Sequence, residues 1–238
     1  MLADGSAAPD FASCQVVYLA DCDCRQRQQR QDLGTRPHPR LQVSLYTPCH
    51  PHSPKGRGRA LKIAWSTSKA RVRAYMDVDL STDIRQIPEL VGPILDGRAD
   101  VCFGSRLLPA SRVERCVKRE LISRSYNRML QSYLSVHFHD AQCGFKAISA
   151  EAADTLLPLI QDNEWFFDTE LLVLAERMGI ASCEFAVRWK EDPGTTVHIV
   201  DTVRKDLAGM KRLKASEGQA GATPTSAYRY PLKQAADA

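Results

Sequence analysis

The sequence lacks any long hydrophobic run. A helix that crosses a bilayer needs about 18 or more consecutive apolar residues, and no segment of this 238-residue chain approaches that length. The first residues, MLADGSAAPDF, also lack the basic-then-apolar order of a signal peptide. We therefore expect a cytoplasmic protein without a membrane-spanning segment.

Acidic residues are scarce in residues 25–62, which contain nine Lys or Arg and only Asp32 as an acid. Such a basic segment attracts nucleic acid, an anionic membrane surface or a phosphorylated small molecule. No aromatic residue lies among the basic residues from Arg25 to Arg40, so the stacking contacts of a single-stranded nucleic-acid site are absent there. Nucleic acid is therefore not the expected partner, and a solvated, poorly folded arm is the alternative.

The pattern of the remaining chain favours one α/β domain. With 44% hydrophobic residues the chain can bury a sizeable core, and strand-like runs alternate with helical patterns, which favours a mainly parallel sheet. A long helix is expected from Lys118, and another helix is expected to end at Gly179. The run SCEFAVRWK alternates apolar and polar residues and predicts a half-buried strand. The strand-like runs before it are CQVVYLAD, LQVSLYT, VRAYMDVD and ADVCFGS.

One strand-like run, VRAYMDVDLSTD, leads directly into three aspartates. Asp77 and Asp79 are two residues apart, so on an extended chain their carboxylates point the same way and repel each other unless a cation lies between them. A hard ion such as Mg²⁺ or Mn²⁺ takes oxygen ligands and leaves positions open for a diphosphate. The alternative is an ordinary turn, in which Ser81, Thr82 or Asp83 caps the next helix.

An ordered set of segments strengthens the first interpretation. The segments are KGRGRAL, YMDVDLSTD, GSR, KRELISRSYN, DAQCGFKAI and WFFDTELLVLAERMG. The set resembles the family 2 glycosyltransferases, in particular the branch similar to dolichyl-phosphate mannosyl- and glucosyltransferases, which move a sugar from a nucleotide diphosphate to a polyprenyl phosphate. The resemblance covers about Lys55 to Leu213 and implies a GT-A fold with an Asp-x-Asp metal site.

The resemblance implies a role for each matching position. Asp77 and Asp79 would bind the Mg²⁺ or Mn²⁺ ion, with Ser81 as a further polar ligand. Arg106 and Arg124 would hold the acceptor phosphate, for which the planar guanidinium is suited. Asp140 and Gln142 would lie under the transferred sugar, with Asp140 as the base if the acceptor is a hydroxyl. The nucleotide-sugar side would include Asp77 together with Asp21, Lys55, Gly56, Gly58 and Asp168, although Asp168 could equally be a helix N-cap.

The amino end departs from the family. Relatives begin with a strand that runs into a Pro-x-Tyr-Asn-Glu loop, and nothing here matches it. The fold is therefore expected to be N-terminally incomplete, lacking one βα unit. Residues 1–54 match the family poorly, and partial disorder is one expectation for them. Arg71 and Arg73 also fall where a buried strand would be apolar. The expected domain is 1–213, followed by a disordered tail over 214–238.

Together with the aspartate motif, the resemblance implies a metal-assisted, inverting hexosyltransferase that uses a UDP- or GDP-sugar and a polyprenyl phosphate at the membrane surface. Two alternatives stay open. One is a catalytically weak or inactive, truncated glycosyltransferase-like protein that binds the nucleotide, and the other is a basic protein that binds nucleic acid, whose affinity would fall steeply with salt.

Overall fold

The computed structural model describes residues 56–77, 79–191 and 199–217, together with the backbone of two short strands at 16–20 and 228–229. Within these residues the chain forms six α-helices, a 3₁₀ turn before the second helix, and eight strands. The helices are α1 Arg57–Thr67, α2 Ile87–Leu95, α3 Val117–Leu134, α4 Ala150–Leu156, α5 Phe167–Arg177 and α6 Ile199–Ser216. The strands are β1 Val16–Ala20, β2 Val72–Met76, β3 Val101–Ser105, β4 Arg112–Glu114, β5 Phe145–Ser149, β6 Ser182–Ala186, β7 Arg188–Lys190 and β8 Tyr228–Arg229.

The main sheet has six strands in the order β1-β2-β5-β3-β6-β8. β2 and β3 each pair antiparallel with β5, whereas β3, β6 and β8 pair in parallel. Four strands (β2, β3, β6 and β8) therefore run in one direction, while β1 and β5 run in the other. The expected α/β class is confirmed, with a mixed sheet. The carboxyl ends of β2 and β3 lie at the same edge as the amino end of β5.

A second, two-stranded parallel sheet lies beside this edge. It pairs β4 with β7, which follow β3 and β6 along the chain. An isolated bridge joins Thr82 to Trp189 of β7, and the Lys190 N–H donates to the Ser81 carbonyl at 2.8 Å. The small sheet thus anchors the segment that follows the aspartate turn.

Two hydrophobic clusters cover the two faces of the main sheet, and β2 contributes alternate residues to them. Tyr75 packs into the cluster that contains Trp65 and Phe167, whereas Met76 packs into the cluster that contains Phe185. Each fully buried large side chain contributes about 1.5–3 kcal/mol of transfer free energy. This packing on both faces fixes the direction in which each residue at the end of β2 points.

The helix ends expected from the sequence are close to those observed. α3 begins at Val117, one residue before the expected start, and is followed by Ser135 in the left-handed conformation with φ of 54°. Gly179 follows α5 with φ of 69°, a conformation that glycine adopts without a steric penalty. α6 extends to Ser216, slightly beyond the expected domain boundary at residue 213. None of the described helices is long and apolar enough to cross a bilayer.

The expectation for SCEFAVRWK was wrong in one respect. The run forms two strands, β6 and β7, and Glu184 in β6 is only 1% exposed. β6 lies between β3 and β8 and is buried along its whole length. The Glu184 carboxylate accepts the N–H groups of His139 and Asp140 at 3.1–3.2 Å. These hydrogen bonds compensate the burial of the charge, which the alternating pattern could not indicate.

The arginines before the aspartates are also accommodated by the fold. Arg73 is 5% exposed and donates to Asp154 of α4 at 3.2 Å. β1 pairs antiparallel with β2 and occupies the sheet position beside it. The expected strand LQVSLYT lies outside the described residues.

Candidate active site

Asp77 follows β2 and lies against the start of β5. Its N–H donates to the Gly144 carbonyl at 2.9 Å. A Cβ atom added at Gly144 would lie 1.9 Å from Asp77 Oδ2, so a larger residue at 144 would displace the carboxylate. The Asp77 side chain remains 36% exposed, which leaves it accessible from outside the sheet edge.

Asp77 and the residues after it form a tight turn that contains the three predicted metal ligands. The Asp79 carboxylate accepts the Ser81 N–H at 3.0 Å, and the Leu80 N–H donates to the Asp77 carbonyl at 3.2 Å with Leu80 φ at 53°. Asp83, not Ser81, caps the following 3₁₀ turn by accepting the Arg85 N–H at 3.0 Å. Asp79 and Ser81 therefore belong to the turn and not to a helix cap.

The turn could hold a hard divalent cation. Asp77 and Asp79 supply carboxylate oxygens, and the buried Ser81 Oγ has no hydrogen-bond partner in the described part of the chain. An orphaned hydroxyl of this kind suits an oxygen-ligated ion. The described residues contain no group of three or more His, Cys, Asp or Glu side chains arranged for a metal. A cation here would therefore need ligands from a bound phosphate or from water.

A buried network of charges lies behind Asp77. Arg57 Nη2 donates to Asp77 Oδ1 at 3.0 Å, and Arg57 Nη1 lies 2.9 Å from Asp168 Oδ2. Asp168 Oδ1 also accepts the Tyr75 hydroxyl and lies 3.3 Å from Lys146 Nζ. Asp168 is the second residue of α5, and its side chain makes these ion pairs instead of capping the helix.

The electrostatics of this network differ from group to group. Burial raises the pKa of Asp77, and although Arg57 opposes that shift, the nearby Asp168 reinforces it. For Arg57, burial alone would lower the pKa, but the attraction of Asp168 and Asp77 outweighs it and the pKa is raised. Arg57 therefore stays charged, whereas the proton affinity of Asp77 is higher than that of an ordinary aspartate.

A second ion pair joins Arg106, just after β3, to Asp140. Nε and Nη2 of Arg106 donate to the two carboxylate oxygens at 2.7 and 2.8 Å, and the Arg106 N–H donates at 2.9 Å. Burial alone would raise the pKa of Asp140, but the charge and hydrogen bonds of Arg106 lower it to about 2. The guanidinium also lies 5.6 Å from the centre of the Trp189 ring. The predicted acceptor-phosphate arginine is thus tied to the predicted base.

Arg124 lies on the exposed face of α3 and donates to Glu120, one turn earlier. Glu120 also accepts from Arg115, whose guanidinium lies 6.0 Å from the centre of the Trp189 ring. A chain of contacts therefore connects Arg124 with the ring on which Arg106 stacks.

Gln142 donates through Nε2 to Asp206 Oδ2 of α6 at 3.2 Å. Asp206 is 3% exposed, and its other oxygen, Oδ1, has no hydrogen-bond partner within the described segments. Burial, as the largest cause, raises the pKa of Asp206 to about 6. This hydrogen bond holds the side-chain amide of Gln142 against α6, while the Gln142 backbone N–H donates to Asp140 Oδ1 at 3.2 Å.

The predicted glycines pack closely against another part of the chain. A Cβ atom at Gly56 would lie 2.4 Å from the Asn163 carbonyl oxygen, and one at Gly58 would lie 2.6 Å from Phe167 Cβ. Both glycines therefore allow the start of α1 to approach the start of α5, and this approach brings Arg57 to Asp168. Lys55 and Asp21 lie outside the described residues.

Comparison with known proteins now identifies the domain. Residues 45–157 match the family model described as glycosyl transferase family 2. The chain carries a glycosyl transferase family 2 domain. It is 41% identical over 155 residues, 65% of this chain and 24% of the relative, to "Glycosyltransferase AglD" of Haloferax volcanii. It is 28% identical over 147 residues, 59% of this chain and 45% of the relative, to a "Dolichyl-phosphate beta-glucosyltransferase" of Dictyostelium discoideum. The chain thus spans between a quarter and a half of the length of these relatives.

Solved structures agree with this assignment at the level of the fold. A crystal structure of Mycobacterium tuberculosis glucosyl-3-phosphoglycerate synthase superposes with a TM-score of 0.53 at 20% identity, covering 70% of this chain and 58% of that one. A structure of the same synthase in complex with Mn²⁺, UDP-glucose and phosphoglyceric acid has a TM-score of 0.51, again at 20% identity over 70% and 58% of the two chains. The expected GT-A fold is confirmed.

Two residues of this glycosyl transferase family 2 domain were missed by the sequence analysis. Arg57 lies inside the quoted KGRGRAL segment, but only the lysine and glycines were singled out there. Asp206 lies on α6 in a stretch without a recognised motif. The sequence signal for Asp206 was its position one helical turn before an apolar residue, Met210, which the structure shows to be buried.

Proposed function

We propose that this chain is a glycosyltransferase that moves a hexose from a UDP- or GDP-linked sugar to a polyprenyl or dolichyl phosphate with inversion. The observation that supports the proposal is the turn after β2, which contains Asp77, Asp79 and Ser81 within five residues and leaves the buried Ser81 Oγ without a hydrogen-bond partner in the described part of the chain. Ligands of open α/β sheets bind outside the carboxyl ends of the strands.

The donor side is assigned to the aspartate turn and its neighbours. Asp77, Asp79 and Ser81 would hold Mg²⁺ or Mn²⁺, which when bound supplies positive charge to the leaving nucleotide diphosphate. The Mn²⁺ and UDP-glucose named for the structurally similar synthase support this choice of ion and nucleotide. Contacts with the nucleotide are proposed for Asp21, Lys55, Gly56 and Gly58. Asp168 would act on the nucleotide indirectly, through its ion pair with Arg57.

The acceptor side is assigned to Arg106 and Arg124, with Gln142 and Asp140 beneath the transferred sugar. A carboxylate with a pKa of about 2 is a weak base, so Asp140 is poorly suited to deprotonate a hydroxyl. A phosphate acceptor needs no such base, because it is already ionised at neutral pH. The low proton affinity of Asp140 therefore favours a phosphate acceptor, in agreement with the dolichyl-phosphate named for the relatives. Asp140 then positions Arg106.

The deciding experiment is a transfer assay with a panel of UDP- and GDP-hexoses, polyprenyl phosphate in detergent, and Mn²⁺. We expect transfer from at least one donor, dependent on both Mn²⁺ and the acceptor phosphate. A polyprenol without phosphate is the matched control acceptor. Transfer to the alcohol as efficient as to the phosphate would contradict the acceptor assignment.

The alternative is a glycosyltransferase-like protein that binds a nucleotide without turnover. The observation that favours it is the antiparallel pairing of β1 with β2, which departs from the mainly parallel sheet expected from the sequence. Calorimetric binding of UDP or GDP with Mn²⁺, but no transfer from any donor in the panel, would establish this alternative.

A further inference from the structure

The guanidinium of Arg57 is unusually confined for a charge at a proposed metal site. Arg57 is 6% exposed, and its guanidinium carbon lies 5.1 Å from the centre of the Tyr75 ring and 5.0 Å from that of Trp165. Arg57 Nη2 also donates to the Tyr75 hydroxyl at 3.1 Å. Two rings and two carboxylates therefore hold the cation in place, and it cannot turn out to solvent without breaking all these contacts.

This confined cation contacts the same carboxylate that is proposed as a metal ligand. Arg57 Nη2 lies 3.0 Å from Asp77 Oδ1, within the distance of a charge-assisted hydrogen bond. Without Arg57, Asp77 would face Asp168 and the following Asp79, and the three carboxylates would repel each other. Lys146 lies 3.3 Å from Asp168, so it offsets part of this charge from the other side of Asp168.

We propose that Arg57 is a tethered counter-ion of the Asp77 site, one that keeps the site assembled without a divalent cation and competes with that cation for Asp77. The inference rests on the proposed metal site. Two cations that share one carboxylate weaken each other's binding, since each repels the other. Arg57 is thus a positioning residue that lowers metal affinity, so that the ion binds firmly only when the diphosphate adds its own negative charge.

The proposal predicts the sign of a substitution. If Arg57 only oriented Asp77 as a ligand, its removal would weaken metal binding. If Arg57 competes with the metal, its removal strengthens binding. One unit charge about 6 Å from a divalent ion changes affinity about tenfold even at the dielectric constant of water. We therefore expect Arg57→Gln to bind Mn²⁺ about tenfold more tightly than the parent chain in the presence of saturating UDP.

Arg73 offers a matched control. It is also a buried arginine in an ion pair, with Asp154, and it lies in β2 two residues before Tyr75. Arg73→Gln should lower the melting temperature but leave Mn²⁺ affinity unchanged. Without Mn²⁺, Arg57→Gln should have a lower melting temperature than the parent chain. When Mn²⁺ and UDP are added, its melting temperature should rise by more than that of the parent chain or of Arg73→Gln.

The test is calorimetric titration of MnCl₂ into the full chain with UDP present, for the parent, Arg57→Gln, Arg73→Gln and Asp77→Asn. Tighter Mn²⁺ binding by Arg57→Gln alone, with binding lost in Asp77→Asn, supports the proposal. Equal or weaker binding by Arg57→Gln, with Asp77→Asn still defective, overturns it and keeps the metal site. Binding that is unaffected by Asp77→Asn removes the metal site itself, and with it this inference.

A measurement on the parent chain covers the case in which Arg57→Gln does not fold. The side-chain Nε–H signal of Arg57, assigned with Arg57→Lys, is followed by NMR while MgCl₂ is added with UDP. Competition for Asp77 requires that this signal shift on Mg²⁺ addition beyond the shift caused by UDP alone. An Arg57 signal that does not respond to Mg²⁺ overturns the proposal.

Discussion

Two arginines at the same edge of the sheet pair with aspartates whose pKa values are shifted in opposite directions. Arg106 donates to Asp140 through Nε, Nη2 and its backbone N–H, and the pKa of Asp140 is lowered to about 2. Arg57 is divided between Asp77 and Asp168, and the pKa of Asp77 is raised. The presence of an arginine therefore does not by itself decide how a neighbouring carboxylate titrates. The balance of cations and carboxylates in each cluster decides it.

This difference gives the two clusters different physical roles. In the Arg106–Asp140 pair one positive and one negative charge balance each other, and Asp140 is fully buried. The pair joins the segment after β3 to the segment before β5. The Arg57 cluster leaves Asp77 less completely neutralised and partly exposed, which is the condition under which an added cation binds. Breaking the first cluster is therefore expected to lower stability in addition to any effect on the proposed acceptor side, whereas breaking the second is expected to act mainly on metal and nucleotide binding.

The largest expected effect comes from breaking the complete pair. Arg106→Gln leaves the buried Asp140 charge without its partner, which costs about 3–5 kcal/mol of unfolding free energy. Urea unfolding measures the loss. The matched control is Arg98→Gln, whose pair with Asp96 has both side chains nearly half exposed and should cost less than about 1 kcal/mol. Equal losses for the two variants would contradict the structural role of the Arg106–Asp140 pair.

The next effect concerns the incomplete cluster. Asp77→Asn and Asp79→Asn should each weaken Mn²⁺-dependent UDP or GDP binding by at least about 10- to 100-fold, the range already seen when groups behind metal ligands are lost. Calorimetry with and without Mn²⁺ checks this, while circular dichroism should show an intact fold. Asp83→Asn is the control from the same segment, because Asp83 caps the 3₁₀ turn. Unchanged Mn²⁺-dependent affinity in both variants would remove the site.

The pH dependence of stability should separate the two aspartates by sign. The folded pKa of Asp140 is about 2 against an ordinary 3.8, so its stabilising effect is complete above about pH 4 and is lost as the pH falls toward 2. The loss amounts to about 2 kcal/mol. The raised pKa of Asp77 acts in the opposite direction, since folding then favours the protonated carboxyl as pH falls.

Urea unfolding at pH 5 and pH 3 measures this dependence, and Asp140→Asn is the comparison. The variant should be less stable at pH 5 but should lose less on acidification than the parent chain. An identical decline in both proteins would show that Asp140 is not held by Arg106 in the way described.

The smallest expected effect on stability is at Arg124. Its side chain is 54% exposed and pairs with Glu120 within one helix, so Arg124→Ala should change the unfolding free energy by less than about 1 kcal/mol. The apparent KM for a phosphorylated acceptor should nevertheless rise about tenfold or more, since a charge-assisted contact to phosphate contributes roughly 1.5–3 kcal/mol. Arg128→Ala, one turn further along α3, is the control. Loss of donor affinity with an unchanged acceptor KM would move Arg124 to the donor side.

The sequence by itself determined the local features of this domain. The periodicity of apolar residues located α3 and α5, and the change from apolar residues to aspartates marked the point where β2 ends. The order of short motifs, through the resemblance to family 2 glycosyltransferases, singled out Asp77, Asp79, Arg106 and Asp140 as candidate site residues. Each motif and each periodic pattern depends on residues within about two helical turns of one another, which is why it can be recognised without a structure.

Only the tertiary structure decided which charges meet. Tyr75 and Asp168 are 93 positions apart in the sequence but share a hydrogen bond, and Asp206 reaches Gln142 across 64 positions. No periodicity reports such a contact, because it depends on how helices pack against the sheet. The burial of Glu184 and the division of Arg57 between two aspartates have the same origin. The titration of each carboxylate follows from burial and from neighbours that the fold brings close, so the electrical difference between the two arginine clusters could not be predicted from the sequence.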